Sequence, residues 1–260
     1  MKLTDMFLQA IRHAKKLVTL HDLLLTGTER GIRKDWANSF YKAHLVNWPQ
    51  KAGLWRSRNP KILIVGRADT GFSHDIFFAD SLCILLRLAL VLSLAAVDKI
   101  LHEAISKHFV ALTKNRALDD LVDLKLSTAY EIAQGARRRK GKGGKVKSRP
   151  GHKIKAEVLT RVYGDTYLSI RRLQQVAAAL GKDKIFSRFS KTLNPSEQPQ
   201  VLQDRWSRIY LRRNQIAHEC DIVRKAKQKK THFHSVHPQQ MKDDISFAEQ
   251  FGTFLARELE

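Results

Sequence analysis

The sequence predicts an all-α protein, a helical bundle with an N-terminal helical extension and basic loops set between its helices. Three observations carry that prediction. First, apolar residues recur at helical spacing near both ends of the chain: Leu3, Met6, Phe7, Ala10, Ile11, Ala14, Leu17 and Val18 in one stretch, Ile245, Phe247, Ala248, Phe251, Phe254 and Leu255 in the other. Second, residues 77–107 are apolar on nearly every side, as at the centre of a bundle or at a seam between subunits. Third, the short apolar run "KILIV" (61–65), bounded by Pro60 and Gly66, has no convincing second strand to pair with. That run reads as a strand or a tight connection, and a sheet is not expected.

Taken in order, the first helix should cover about residues 4–25 and stop at Gly27. Its polar interruptions suit a core-facing helix and lack the layout of a secretory signal. Pro49, Gly53 and Pro60 break up the region that follows. Within the second helix, 77–107, the apolar run at 81–97 invites comparison with a membrane span. It falls short of the ~20 residues a span requires and contains Arg87, so it reads as a buried helix, with no membrane involved. Further helices are expected at about 118–134, at 156–180 before Gly181, at 199–220 and at 241–259. Residues 1–76 thus read as an extension, and 77–260 as a helical domain.

Between the helices lies "ARRRKGKGGKVKSRPGHKIK" (136–155), with ten basic residues, four glycines and no acid. Such a segment reads as a flexible basic loop, either a solvated linker or a contact for an RNA backbone through Arg137, Arg138, Arg139 and Lys140. Its glycine spacing misses the phosphate-binding P-loop pattern by one residue, and glycine stands where serine or threonine would meet magnesium. A second basic stretch covers 221–238. Its His232, His234 and His237 lack any C-x-x-C partner and read as polar loop histidines rather than zinc ligands, so no metal or other cofactor is expected.

The 260 residues carry 47 basic against 25 acidic side chains, a net charge of +22. That excess favours an anionic partner such as nucleic acid. Two cysteines, Cys83 and Cys220, cannot build a disulfide framework and point to a reducing, cytoplasmic setting.

The stretch "RRNQIAHECD" (212–221) interrupts an otherwise amphipathic helix. Leu202, Trp206, Ile209, Tyr210, Ile216, Ala217 and Cys220 form one apolar stripe, and Arg205, Arg208, Arg212, Gln215 and Glu219 face the other way. Arg213 projects from the apolar stripe itself, flanked by Asn214 and His218 one turn apart. One reading is a surface cluster near a helix C-terminus, where an imidazolium favours the dipole. The other is RNA cleavage through the ribose 2′-hydroxyl. That chemistry needs an imidazole to move protons and a guanidinium to hold the phosphate, and it needs no metal. On the second helix, Arg87, Asp98 and His102 lie along one line of an apolar surface. Either Arg87 pairs internally with a carboxylate, or Asp98 or His102 reaches the Arg213–His218 helix and supports it.

The six residues Arg213 to His218 match the R-x(4–6)-H motif of the HEPN superfamily (higher eukaryotes and prokaryotes nucleotide-binding), whose first x is typically polar, as Asn214 is. The stretches "DRWSRIYLRRNQIAHECD", "LRLALVLSLAAVDKILHE" and "FSRFSKTLNP" resemble the RiboL-PSP-HEPN branch, over roughly 77–260. The resemblance implies a HEPN-type helical bundle, a homodimer with two motifs face to face, and metal-independent endoribonuclease activity in toxin or anti-phage systems. By position it implies that Arg213 binds the scissile phosphate, His218 acts as acid or base and Asn214 supports them; Arg212, on the wet face of the same helix, is a separate candidate for RNA binding. It also allows a protein partner such as an antitoxin. Two other readings stay open: a noncatalytic basic RNA-binding module of the same fold, or a subunit of a larger defence complex.

Overall fold

The structure, a computed structural model, describes residues 1–24, 26–30, 52–57, 63–67, 79–119, 121–122, 150–193, 197–222 and 234–260. Among these, helices dominate, as expected of an all-α protein. They are α1 (Leu3–Leu24), α2 (Ala79–Lys107), α3 (Phe109–Lys114), α4 (Pro150–Gly164), α5 (Ile170–Ala179), α6 (Ile185–Leu193), α7 (Pro199–Glu219) and α8 (Pro238–Glu258). Proline is the first residue of α7 and of α8, where its fixed φ suits the helix and its missing N–H costs nothing.

Three corrections to the sequence reading follow. A small antiparallel sheet, β1 (Thr26–Arg30), β2 (Ala52–Ser57) and β3 (Leu63–Arg67), in that order, occupies the extension where none was expected. Glu29 pairs with Trp55, and Trp55 in turn with Ile64. The "KILIV" run thus contributes to a strand, but its partner "AGLWRS" and the next strand "TGTER" are polar or glycine-bearing and gave no periodic signal of their own. Second, the helix expected over 156–180 is two helices, α4 and α5. After Gly164 the chain turns through Asp165–Ser169, and the Ser169 hydroxyl accepts from Arg172 N at 3.3 Å to start α5. Third, α4 begins at Pro150, so the last part of the expected basic loop is helical, and α6 adds a helix over the stretch "IFSRFSKTL". The helix expected at 118–134 and the loop at 136–149 lie largely or wholly outside the described residues.

Spatial proximity divides the chain into two units: one of 1–9, 94–212 and 248–260, the other of 10–93 and 213–247. Neither coincides with the expected segments 1–76 and 77–260. The core of the first unit is aromatic. Phe251 of α8 stacks on Phe186 at 5.1 Å and packs at 4.8 Å against Trp206 of α7 and 4.9 Å against Phe189. Trp206, fully buried, donates its indole N–H to Leu168 O at 2.7 Å, the partner that a buried indole requires.

In the second unit the apolar stripe of α1 continues through Ile11 and Ala14 to a fully buried His21. Leu82, Leu86, Ala89 and Leu90 of α2 and Met241, Ile245 and Phe247 of α8 are also buried in this unit. The segment Ser81–Lys107 is long and apolar enough by composition to cross a membrane, and half of its most apolar window is buried within the protein.

Candidate functional site

The residues singled out for chemistry lie at the end of α7. The helix buries Leu202, Trp206 and Ile209. Beyond Ile209 none of its residues is buried: Ile216 is half-buried, and Ala217, His218 and Cys220 are exposed. The apolar stripe expected to reach Cys220 is therefore covered only over its first half. A stripe is buried only where another surface packs on it, and among the described residues that cover stops short of the motif.

Arg213, Asn214 and His218 share the second unit. The Arg213 guanidinium donates from Nη1 to the Asn214 Oδ1 at 2.9 Å, while its buried Nε has no hydrogen-bond partner among the described residues. A buried donor without an acceptor costs free energy, which a phosphate or carboxylate oxygen would recover. Asn214 and His218 stand four residues apart, one turn along the same face. His218 occupies the last turn, where the helix dipole favours positive charge. An amide-buttressed guanidinium and an exposed imidazole on one helix end can bind an anionic oxygen and move a proton. Arg212, half-buried, precedes them on the helix.

Asp98 and His102 bond the backbone of the α4–α5 turn. Asp98 Oδ1 accepts from the backbone N of Tyr167 at 2.9 Å, and His102 Nε2 donates to Asp165 O at 2.9 Å. Both fasten the α4–α5 turn to α2 within the first unit. The His102 ring also lies edge-on to Tyr163 and Tyr167, at 5.5 and 5.4 Å. A backbone amide and carbonyl left without partners by the broken helix explain why these polar groups stand on an apolar surface. Arg87 does pair internally, as one reading of the sequence had it, and its partner is Asp221.

Asp221 is the residue that sequence reasoning missed. It follows the motif by three positions, is buried, and binds the Arg87 Nε. The signal was indirect: an arginine inside an apolar helix demands a carboxylate, and acids are scarce in this chain.

A second polar cluster joins α1 and α8. His21 Nδ1 lies 2.9 Å from Asp22 Oδ1, and Lys242 Nζ donates to the same oxygen. Burial opposes ionisation of Asp22, but hydrogen bonds from Lys242 and His21 outweigh it and hold the carboxyl below its ordinary range.

No group of three or more potential metal ligands occurs among the described residues; His234 and His237 belong to these, and His232 lies outside them. Arg137, Arg138, Arg139 and Lys140 also lie outside the described residues. No family model, curated protein or solved structure matches the chain.

Proposed function

We propose that this protein is a metal-independent endoribonuclease of the HEPN type, acting on RNA as a homodimer in the cytoplasm within a toxin or anti-phage defence system. The observation that carries the reading is the state of Arg213. Among the described residues its guanidinium bonds to the neighbouring Asn214 amide and its Nε finds no acceptor, and an exposed imidazole stands on the same helix end. In this reading Arg213 holds the non-bridging oxygens of the scissile phosphate and Asn214 fixes the guanidinium. His218 serves proton transfer as the 2′-oxygen attacks phosphorus and the bond to the 5′-oxygen breaks. The products are a 2′,3′-cyclic phosphate and a 5′-hydroxyl. The open second half of the α7 stripe supports the dimer, because a second copy would cover it and set two motifs across a shared cleft. An antitoxin or another defence protein would restrain the pair.

The test is cleavage of end-labelled RNA by wild type, His218→Ala, Arg213→Ala and Arg213→Lys, with and without chelator. All three variants should lose cleavage by at least about 100-fold, the scale of removing a proton-transfer or charge-stabilising group. They should keep most of their RNA affinity, because the remaining basic charge binds phosphate whether or not chemistry follows. Arg213→Lys should fail because an ammonium cannot make the planar two-pronged contact. A deoxyribose at the cut site should block the reaction, and chelator should not. Cleavage at the wild-type rate by His218→Ala would sink the assignment. The net charge of +22 favours a second reading, a noncatalytic RNA-binding module, which salt-dependent binding without any cleavage would establish.

A further inference from the structure

Two consecutive non-glycine residues just after α7, Cys220 and Asp221, adopt left-handed backbone conformations, with φ of 51° and 61°. Such conformations persist only where the surroundings over-determine them. Here a closed ring of hydrogen bonds does so. Asp221 N donates to Gln215 O at 3.0 Å, tying the residue back into the motif's own backbone between Asn214 and His218. Asp221 O accepts from His234 N at 2.9 Å. The Asp221 carboxylate accepts from Arg87 Nε, and Arg87 Nη2 donates to His234 O at 3.0 Å. One guanidinium from α2 thus grips both the acid and His234, the residue hydrogen-bonded to its backbone. The side chains of Arg87 and Asp221 are 13% and 2% exposed, so this pair is shielded from the solvent screening that makes surface pairs weak. All of these residues, with Arg213, Asn214 and His218, belong to the second unit.

We infer that Arg87 and Asp221 are positioning residues for the Arg213–Asn214–His218 site: they fix where the last turn of α7 stops, and so where His218 points. The inference rests on the endoribonuclease reading for its catalytic consequence, but the clamp itself is a property of the helix end. Arg213 and Asn214 carry the phosphate-side groups, His218 lies one turn beyond Asn214, and the clamp begins three residues beyond His218. A displacement of about 1 Å in a reacting group can cost about 100-fold in rate, so the clamp should act on turnover rather than on binding. Neither residue is placed to touch RNA. Their effect passes through the helix.

The experiment uses Arg87→Lys, Asp221→Asn and the double variant Arg87→Met/Asp221→Leu. The double variant leaves no uncompensated buried charge, which is the usual reason that breaking such a pair unfolds a protein. Two readouts are taken on each full-length variant. The first is kcat and KM on a defined oligoribonucleotide. The second is the line shape of a nitroxide spin label on the exposed Cys220, the other cysteine, Cys83, being buried. The expected result is a fall in kcat of about 10- to 100-fold with KM within about threefold of wild type, and a more mobile label, in variants whose thermal midpoint shows them folded. Wild-type kcat in the double variant, or a label as immobile as in wild type, would overturn the inference. So would a loss of activity that merely follows the unfolded fraction. If the wild-type protein cleaves no RNA, the endoribonuclease reading fails, and the label alone decides whether Arg87 and Asp221 hold the end of α7.

Discussion

Gly252 of α8 faces Phe7 of α1 so closely that its substitution by alanine sets two known effects against each other. A Cβ at residue 252 would stand 2.3 Å from Phe7 Cζ and 2.5 Å from Cε2. Carbon atoms in contact sit about 3.5–4.0 Å apart, so the ring would have to retreat by about 1–1.5 Å. Phe7 is fully buried, and a close-packed interior offers it no room. Overpacking of this kind costs about 1–3 kcal/mol, and so large a displacement belongs at the upper end, about 3 kcal/mol. Alanine is the better helix former by about 1 kcal/mol, which opposes the loss. The clash wins, and Gly252→Ala should destabilise the protein by about 2 kcal/mol. For a chain of this size that lowers Tm by about 4–8 °C. Urea unfolding followed by circular dichroism, with an unchanged m value, measures it directly. Phe7→Leu removes the clashing ring atoms, so in its presence Gly252→Ala should cost far less, a coupling that a double-mutant cycle reads. A Gly252→Ala protein as stable as wild type, or more so, would refute the reasoning.

Leu211 is 61% exposed on α7 beside the motif, and Leu211→Glu should put like charges across a two-fold axis, weakening both association and RNA cleavage. Light scattering that finds a fully active monomer would rule out the shared cleft. Burial pushes the Tyr167 hydroxyl up to about 12, with Arg172 pulling it down and Asp165 and Asp98 adding to the rise. A folded pKa above the ordinary 10.0 means that its contribution is whole below pH 10.0 and is lost as pH rises through about 12. Wild type should therefore lose stability over that window relative to Tyr167→Phe, as denaturant titration at each pH would record. Asp22 runs the other way: its lowered pKa contributes stability above 3.8 that disappears as pH falls through the folded value. Asp22→Asn should flatten that acid limb, and an unchanged limb would contradict the Lys242 and His21 pairing.

The helical fold was legible in the sequence because amphipathic periodicity is a local property. The inward face of α8 buries the residues that its spacing nominates, the stripe of α1 buries Leu3, Phe7, Ile11 and Ala14, and Gly181 ends α5 with φ of 71°, as a terminal glycine should. The composition of the candidate site was legible for the same reason: Arg213, Asn214 and His218 declare themselves by standing on the wrong face of one helix. What tertiary structure decided were the pairings between distant segments. Strand pairing of "LIVGR" with "AGLWRS" depends on partners with no periodic signal of their own, and the break between α4 and α5 depends on Asp98 and His102 arriving from α2 to satisfy the freed backbone groups. The extent of the α7 stripe was also out of reach, since periodicity shows which face is apolar but not how far another element covers it. The sequence could say that Arg87 needs an acid, because a buried guanidinium cannot stand alone. Only the folded chain could say that the acid is Asp221, 134 residues away, at the end of the helix that carries His218.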